Sequence, residues 1–575
     1  MAAIQNAKSS IDRSAEALLL RHDDLKGEQR LWLTLWQEVA DFEQPRKGNI
    51  AFKRSSAQQQ TDRLFDSTAP HALELLAASM QGALTSAAFR WFSLALQGVE
   101  LKDNHELALL LEACSDDMFH AFNDSNFASE THELYLDTPC FGTGGIFVEE
   151  REPTRYVPAG ALRFTALPPG SFCIDEDAEG YVDTVYRTFM LSARAAAGKF
   201  GKDNVGGQVT AALKQNTNQR FEFLHAVYPR KDVPLSSGTR RLPATQKPYG
   251  SIWVDIAGRK VMRVSGYDEQ CMMMPRWGKT SGEIYGRGPG IVALPDIKTL
   301  NLAVQLKLKA WAKAVDPPLM VRDEGVIGDV ILRSAGITYV RDMDSIKPLT
   351  ELAGDLRIAD MNEDKVRESI KRMFFSDQLQ MQEGPQMTAY EVQVRYELMQ
   401  RILGPTLGRL TVEYLNPLVS RVFWIRLRAS AADSPYRKVL AWCKQNNKAM
   451  IVEYEGPLAK AQRLAESTAM QRFWQIALPL TQVDPTVMDN VDLDFMIRRH
   501  GDSVGTPAGM MRQPEKVAEI RQARTAAAAQ KAQQEAAQQT MKAAGGGTGA
   551  AAMVSALSGQ KEGTIPGGSP VVTSG

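Results

Sequence analysis

Two long amphipathic segments, split by an insert that opens on consecutive prolines, constrain this chain more than any other feature. In residues 295–315, PDIKTLNLAVQLKLKAWAKAV, the apolar Ile297, Leu300, Val304, Leu308, Trp311 and Val315 recur at helical spacing on one face. The opposite face mixes Lys298, Lys309 and Lys313 with Leu302 and Leu306. A helix of this length, at ~1.5 Å per residue, is a rod of about 30 Å. Asp316-Pro317-Pro318 ends it, because proline cannot continue a helix and restricts the residue before it. The insert 316–358 holds the strand-like pieces LMVRDEGVIG and GITYVRD. A second helix follows over 359–379, with Val366, Ile370, Met373 and Phe374 as its stripe and Glu363–Arg367 and Glu368–Arg372 as favourable pairs. Rod, small head, rod is a stalk.

The loop 380–387, QMQEGPQM, carries Gln380, Gln382 and Gln386. Thr388 and Glu391 then fit a capping box, and Val392, Tyr396, Met399, Leu403, Leu407, Leu410 and Tyr414 extend a stripe to about residue 428. Gly404-Pro405 is expected to kink that rod, and Pro417 to bend it again. Residues 456–512 read as shorter helices broken by Pro and Gly, and Pro514 opens a helix rich in Ala, Gln, Lys, Arg and Glu over 513–543. The Gly-, Ser- and Thr-rich stretch 544–575 reads as disordered.

Residues 1 to about 130 read as helical. Trp32, Leu35, Trp36 and Val39 make one stripe; Asp66-Ser67-Thr68 starts a second helix with Pro70 in its first turn and Leu73, Leu76, Met80 and Leu84 along one face. Between about 140 and 290, segments such as GGIFVEE, YVDTVYRTFM, FEFLHAVYP, SIWVDIAG and KVMRVSGY are short and rich in β-branched or aromatic residues, so strands are expected. The fold class is α+β, predominantly helical.

Composition narrows the functional classes. A chain of 575 residues exceeds one core, so several domains are expected. Its 67 basic residues balance 67 acidic ones, without the surplus a nucleic-acid gripper shows. The five cysteines form no CxxC pair, which suggests neither a disulfide frame nor a zinc site. No secretory signal or apolar run of about 18 residues occurs, as expected of a soluble protein made in a reducing compartment.

No catalytic constellation stands out. Phe141-Gly142-Thr143-Gly144-Gly145 lacks the Lys-Ser/Thr of a phosphate-binding loop and reads as a turn from helix to strand. His132-Glu133 resembles the start of a zinc-protease helix, but Leu136 stands where its second histidine belongs. A Cys140–His132 nucleophile pair is weighed against a plain helix-end cysteine, and the acidic run Asp175-Glu176-Asp177-Ala178-Glu179 against a solvated turn between strands. Arg240-Arg241 and Arg498-Arg499 read mainly as solvated pairs. Lys298, Lys307, Lys309 and Lys313 project from one rod; they would either soften the repulsion of phosphates in a channel or simply snorkel from an exposed face. No metal, cofactor or catalytic residue is expected.

Four stretches carry a family resemblance. They are LFDSTAPHALELLAASMQGALTSAAFRWFSL (64–94), SNFASETHELYLDTPCFGTGGIFVEE (125–150), GEIYGRGPGIVALPDIKTLN (282–301) and QMTAYEVQVRYELMQRILGPTLGRLTVEYLNPLVSR (386–421). In this order the chain resembles the head-to-tail connecting, or portal, proteins of short-tailed, podovirus-type double-stranded DNA phages, from about residue 20 to about 530. The resemblance implies a dodecameric ring at one capsid vertex of the virion, assembled in the host cytoplasm, through which DNA is packaged and ejected without sequence specificity. It implies terminase as the partner during packaging, the tail adaptor and tail proteins afterwards, and major capsid and scaffolding proteins around the ring. On that plan 1–290 is a wing, 291–315 and 359–379 are stem helices, 316–358 is a clip and 380–387 is a channel loop. Residues 388–455 make a kinked wing helix and its return, 456–512 a crown and 513–543 a C-terminal barrel helix. Gln380, Gln382 and Gln386, with Lys298, Lys307, Lys309 and Lys313, become the candidates for facing DNA. The competing readings are another ring-forming head–tail component, such as an adaptor, for which the chain is too long, and an enzyme. A nucleotide-dependent translocase is opposed by the missing Lys-Ser/Thr; a hydrolase would rest on Cys140 and His132.

Overall fold

The computed structural model describes residues 15–51, 62–88, 90–98, 105–230, 243–315, 356–376, 404, 406–454, 491–504, 510, 512 and 514–544, with short pieces of the insert 319–348 and of 470–479. Helix α1 (Ala15–Glu43) buries Trp36 and Val39, and α2 (Thr68–Leu84) buries Leu73, Leu76 and Met80. Asp66 caps α2 by accepting the Thr68 amide at 2.9 Å, so the Asp-Ser-Thr start works through its aspartate.

The expectation of helix throughout the first 130 residues fails at β1 (Phe92–Leu96). Its partner strand, Met450–Tyr454, lies more than three hundred residues later, pairing Phe92 with Tyr454 and Leu96 with Met450. A five-residue strand with so distant a partner has no local signature, because strand preference follows from packing context. Helices α3 (His105–Asn123) and α4 (Phe127–Phe141) complete the helical part, and Gly142 ends α4 in the left-handed conformation at φ 78°.

The strand-rich part forms as expected. It contains β2 (Ile146–Glu150), β3 (Leu162–Ala166), β4 (Phe172–Glu176), β5 (Val182–Ser192), a helical pair α5 (Ala193–Phe200) and α6 (Gly207–Lys214), then β6 (Arg220–Pro229), β7 (Tyr249–Asp255), β8 (Lys260–Tyr267) and β9 (Met272–Met273). Strands β4-β5-β6-β7-β8 make one antiparallel meander; β3-β2-β9 make a smaller sheet. Phe147 of β2 packs edge-on against His225 and Tyr267 of the larger sheet.

Helix α7 (Pro289–Val315) is the first rod, and at ~1.5 Å per residue its 27 residues span about 40 Å. The insert contains β10 (Leu319–Val321) paired with β13 (Ile346–Pro348), and β11 (Val326–Ile327) paired with β12 (Tyr339–Val340). The second rod, α8 (Leu356–Met373), starts and stops earlier than 359–379, because the chain leaves the helix at Phe375, whose φ is 57°.

The channel loop with Gln380, Gln382 and Gln386, the capping box at Thr388 and Pro405 of the expected kink all lie outside the described residues. What is described is a π-helical turn, Thr411–Leu415, feeding α9 (Asn416–Ala429). Pro417 has no N–H to give to the residue-413 carbonyl, and the wider turn accommodates that missing bond. Helix α10 (Pro435–Asn446), strand β14 (Met450–Tyr454), α11 (Leu493–Val504) and α12 (Pro514–Ala544) follow. The described side chains of α12 lie almost wholly in solvent.

Candidate functional site

The rod hairpin is the feature with mechanical meaning, and the four motif stretches meet at its root. Ile297, Leu300 and Val304 of α7, Ile370 and Phe374 of α8, and Leu410 and Tyr414 before α9 belong to one buried cluster with α2 and α4. Tyr414 meets Tyr135 of α4 edge to face at 6.2 Å, and its hydroxyl lies 3.1 Å from that of Thr131.

Glycines let two backbones cross there. A Cβ on Gly142 would overlap the carbonyl of Gly286, and one on Gly288 would overlap the carbonyl of Pro139. The Phe-Gly-Thr-Gly segment is the expected turn from helix to strand, and it lies directly on the GRGPG segment that opens α7. Thr143 Oγ1 accepts the Gly286 amide at 2.8 Å, and the Trp36 indole donates to the Phe141 carbonyl at 2.9 Å. The ring of Trp36 meets Tyr285 nearly perpendicularly at 5.2 Å.

Arg276, 1% exposed, locks the same junction. Its Nη2 donates to Glu413 Oε1 at 2.7 Å and to the Gly180 carbonyl at 2.9 Å, while its backbone amide donates to Glu413 Oε2 at 2.9 Å. Nη1 pairs with Glu176 and donates to the Ile284 carbonyl at 3.1 Å. Burial opposes the arginine's charge, but Glu413 and Glu176 outweigh it and hold its pKa above the ordinary value. Glu176 also takes Lys279 at 2.6 Å. The acidic run is therefore a turn, with Asp177 accepting the Glu179 and Tyr181 amides, but one of its carboxylates is structural.

Further along the rods, Asn301 Oδ1 accepts the amides of Phe65 and Asp66, and its Nδ2 donates to the Arg63 carbonyl at 2.7 Å. Arg367 of α8 reaches Asp66 at 3.0 Å and Glu363 at 3.2 Å. Lys307 pairs with Glu363 at 2.6 Å across the hairpin, and Lys298 pairs with Glu38 at 3.3 Å. Lys309 and Lys313 are exposed and form no ion pair among the described residues. The two gluing polar residues, Arg276 and Asn301, were invisible to periodicity: neither sits in a repeating pattern.

The apolar stripe of α7 changes character along its length. It is buried near the root, but Leu308 and Trp311 are 43% and 45% exposed; Leu302 and Leu306, on the opposite face, are 54% and 55% exposed. The distal rod is thus uncovered on both faces.

The Cys140–His132 pair is not formed. His132 bonds Gln81 at 3.0 Å and Glu74 at 3.1 Å, away from Cys140. Burial, and then the neighbouring Glu43, push the Cys140 thiol well above its usual range, the reverse of an activated nucleophile. Glu43 is itself pushed up by burial at the start of α7. Arg498 donates to the Arg512 carbonyl at 3.0 Å, and Arg240-Arg241 lie outside the described residues.

The sequence model for the bacteriophage head to tail connecting protein family matches residues 15–511. The chain is similar to a probable portal protein of Bordetella phage BPP-1, 29% identical over 88% of this chain and 90% of that protein. It is similar to the portal protein of Salmonella phage epsilon15, 28% identical over 88% of this chain and 91% of that protein. A chain from the virion of a native gene transfer agent particle aligns over 71% of this chain and 84% of its own, at 12% identity and a TM-score of 0.32, too distant to weigh.

Proposed function

The chain belongs to the bacteriophage head to tail connecting protein family, and on that footing we propose that it is one subunit of a portal ring at a single capsid vertex. Double-stranded DNA passes through the ring during packaging and ejection; terminase docks on it first, and the tail adaptor and tail proteins later. Capsid and scaffolding proteins surround it. Its role is structural, without chemistry of its own.

On this reading α7 and α8 are the stem, the insert 316–358 is the clip, and the sheets and N-terminal helices form the wing. Residues 380–387 are the channel loop, 456–512 the crown, and α12 packs with its copies as a barrel. The observation that carries the reading is a rod hairpin rooted by a buried Arg276 network, with Leu302 and Leu306 left uncovered along its outer face. A head-to-tail contact repeated by rotation closes into a ring, and copies of the rod would cover those leucines. Lys298 and Lys307 are engaged by Glu38 and Glu363, which leaves Lys309 and Lys313 as the lysines available to phosphates. A chain with no net charge suits a sleeve, because each added phosphate contact would add affinity and drag.

The test is to replace Gln382–Gln386 with a short Gly-Ser bridge. Rings should still assemble, while packaging or retention of DNA falls. Normal yields of filled, infectious particles would remove the loop from the mechanism.

A further inference from the structure

Where the two sheets meet, cations outnumber carboxylates among the described residues. In the larger sheet Arg187, His225, Trp253 and Arg263 stand directly opposite one another on successive strands, so their side chains share a face. Phe147 of β2 packs on that face, and alternation puts Glu149 on the same side of β2, with Arg163 opposite it on β3. Lys199 of α5 reaches in over the Trp253 ring at 4.2 Å.

Four cations therefore share one cleft with one carboxylate. Arg187 is 8% exposed, yet among the described residues it makes no ion pair, and the one hydrogen bond it forms there is from its Nε to His225 Nδ1 at 3.2 Å. Its guanidinium lies 4.2 Å from the centre of the Phe147 ring. Arg163, Lys199 and Arg263 are exposed, and among the described residues neither they nor Glu149 forms an ion pair. Burial lowers the pKa of Arg187 and, where its ammonium lies over the Trp253 ring, that of Lys199; Glu149 opposes both shifts, and neighbouring cations add to the one on Lys199. A buried guanidinium whose one neighbouring acid, Glu149, makes no ion pair with it is costly, and an anion would lower that cost. Within the described chain only its Nε finds an acceptor, in His225.

We propose that this cleft binds phosphate groups, with Arg163, Lys199 and Arg263 as the contacts and Arg187 as the fixed charge at its floor. The source favoured here is the backbone of duplex DNA, a choice that rests on the portal reading; free phosphate has the same chemistry. Spread, exposed cations over aromatic walls suit a strand of phosphates held in place, unlike the sliding contact of a channel.

The test uses the full-length protein, a short fluorescein-labelled duplex and anisotropy over a range of salt. The variant Arg163→Ala/Lys199→Ala/Arg263→Ala should bind at least about tenfold more weakly at low salt, with a log K against log [salt] slope flatter by about 2–3. Arg263→Glu alone, at an exposed strand position, should move both readouts the same way and covers failure of the triple variant to fold. Unchanged affinity and slope in both would overturn the proposal. So would displacement of the duplex by polyglutamate as efficiently, charge for charge, as by unlabelled duplex; that would assign the cleft to an acidic protein. Displacement by inorganic phosphate beyond a chloride control of equal ionic strength supports a site for single phosphates, and its absence supports a site for the strand. Electron micrographs of the same samples keep the two readings apart: rings with unchanged DNA binding sink only the cleft, whereas parent protein without rings sinks only the portal.

Discussion

Arg276→Ala should destabilise the body by about 3–5 kcal/mol, because removing one partner of a buried ion pair strands the others. Glu413 and Glu176 would face each other without their shared cation, and the carbonyls of Gly180 and Ile284 would lose their donor. An exposed pair would matter far less; here the guanidinium is 1% exposed and joins three other segments, at Glu176–Gly180, Ile284 and Glu413. For a unit of this size the loss corresponds to a fall in melting temperature on the order of 10 °C. Arg276→Lys should recover part of the charge but not the two-pronged geometry, and should fall between. Thermal unfolding followed by tryptophan fluorescence, with ring yield alongside, checks this. A variant that melts with the parent would show that the network is dispensable and that the hairpin is rooted by apolar packing alone.

The second large effect is expected at Gly288. An alanine there places its Cβ on the Pro139 carbonyl, in backbone that cannot step aside as a side-chain tip can. Either α7 lifts off α4 or the Phe-Gly-Thr-Gly turn deforms, and both expose the cluster around Trp36. The cost should be about 3 kcal/mol or somewhat more, the upper end of what overpacking a closed interior costs, because the clash is with backbone. Gly207→Ala is the control: its Cβ would meet nothing within 4 Å, so alanine should be neutral or stabilising by up to about 1 kcal/mol. The same urea titration run on both variants decides it. Equal midpoints would mean that the glycine crossing does not set the position of the rod.

Much of this architecture was legible because it is written in periodicity. The stripe of α7 and its stop, the helix start at Asp66 and the strands from Ile146 to Tyr267 repeat a pattern within a few residues. The hairpin was readable for the same reason, although its second rod begins at Leu356 and ends at Met373. What escaped was everything made of single residues meeting across long sequence separations. Strand β1 depends on β14; Arg276 depends on Glu413 and Glu176; Asn301 depends on the backbone of Arg63, Phe65 and Asp66. Glu176 was read as part of a solvated turn because its neighbours are, and only the fold brings Arg276 to it. The lysines illustrate the opposite error. Spacing placed four on one rod, but Lys307 is committed to Glu363 of the other rod, a partner that no helical wheel of α7 contains.

Balanced charge and a lysine-bearing rod are compatible once they are assigned to different jobs. Around the root of the hairpin charged side chains are tied to one another, as Arg276 is to Glu413 and Glu176 and Arg367 to Asp66 and Glu363. The sheet cleft around Arg187 contrasts with that root, because a buried guanidinium there has no ion pair among the described residues.

The claim on which all of this depends is that the subunit closes into a ring around a channel. Negative-stain imaging of the purified full-length protein tests it most directly. Closed rings with a central hole, their subunits related by rotation, are the expected result. A chain that stays a well-behaved monomer at every protein and salt concentration would contradict it.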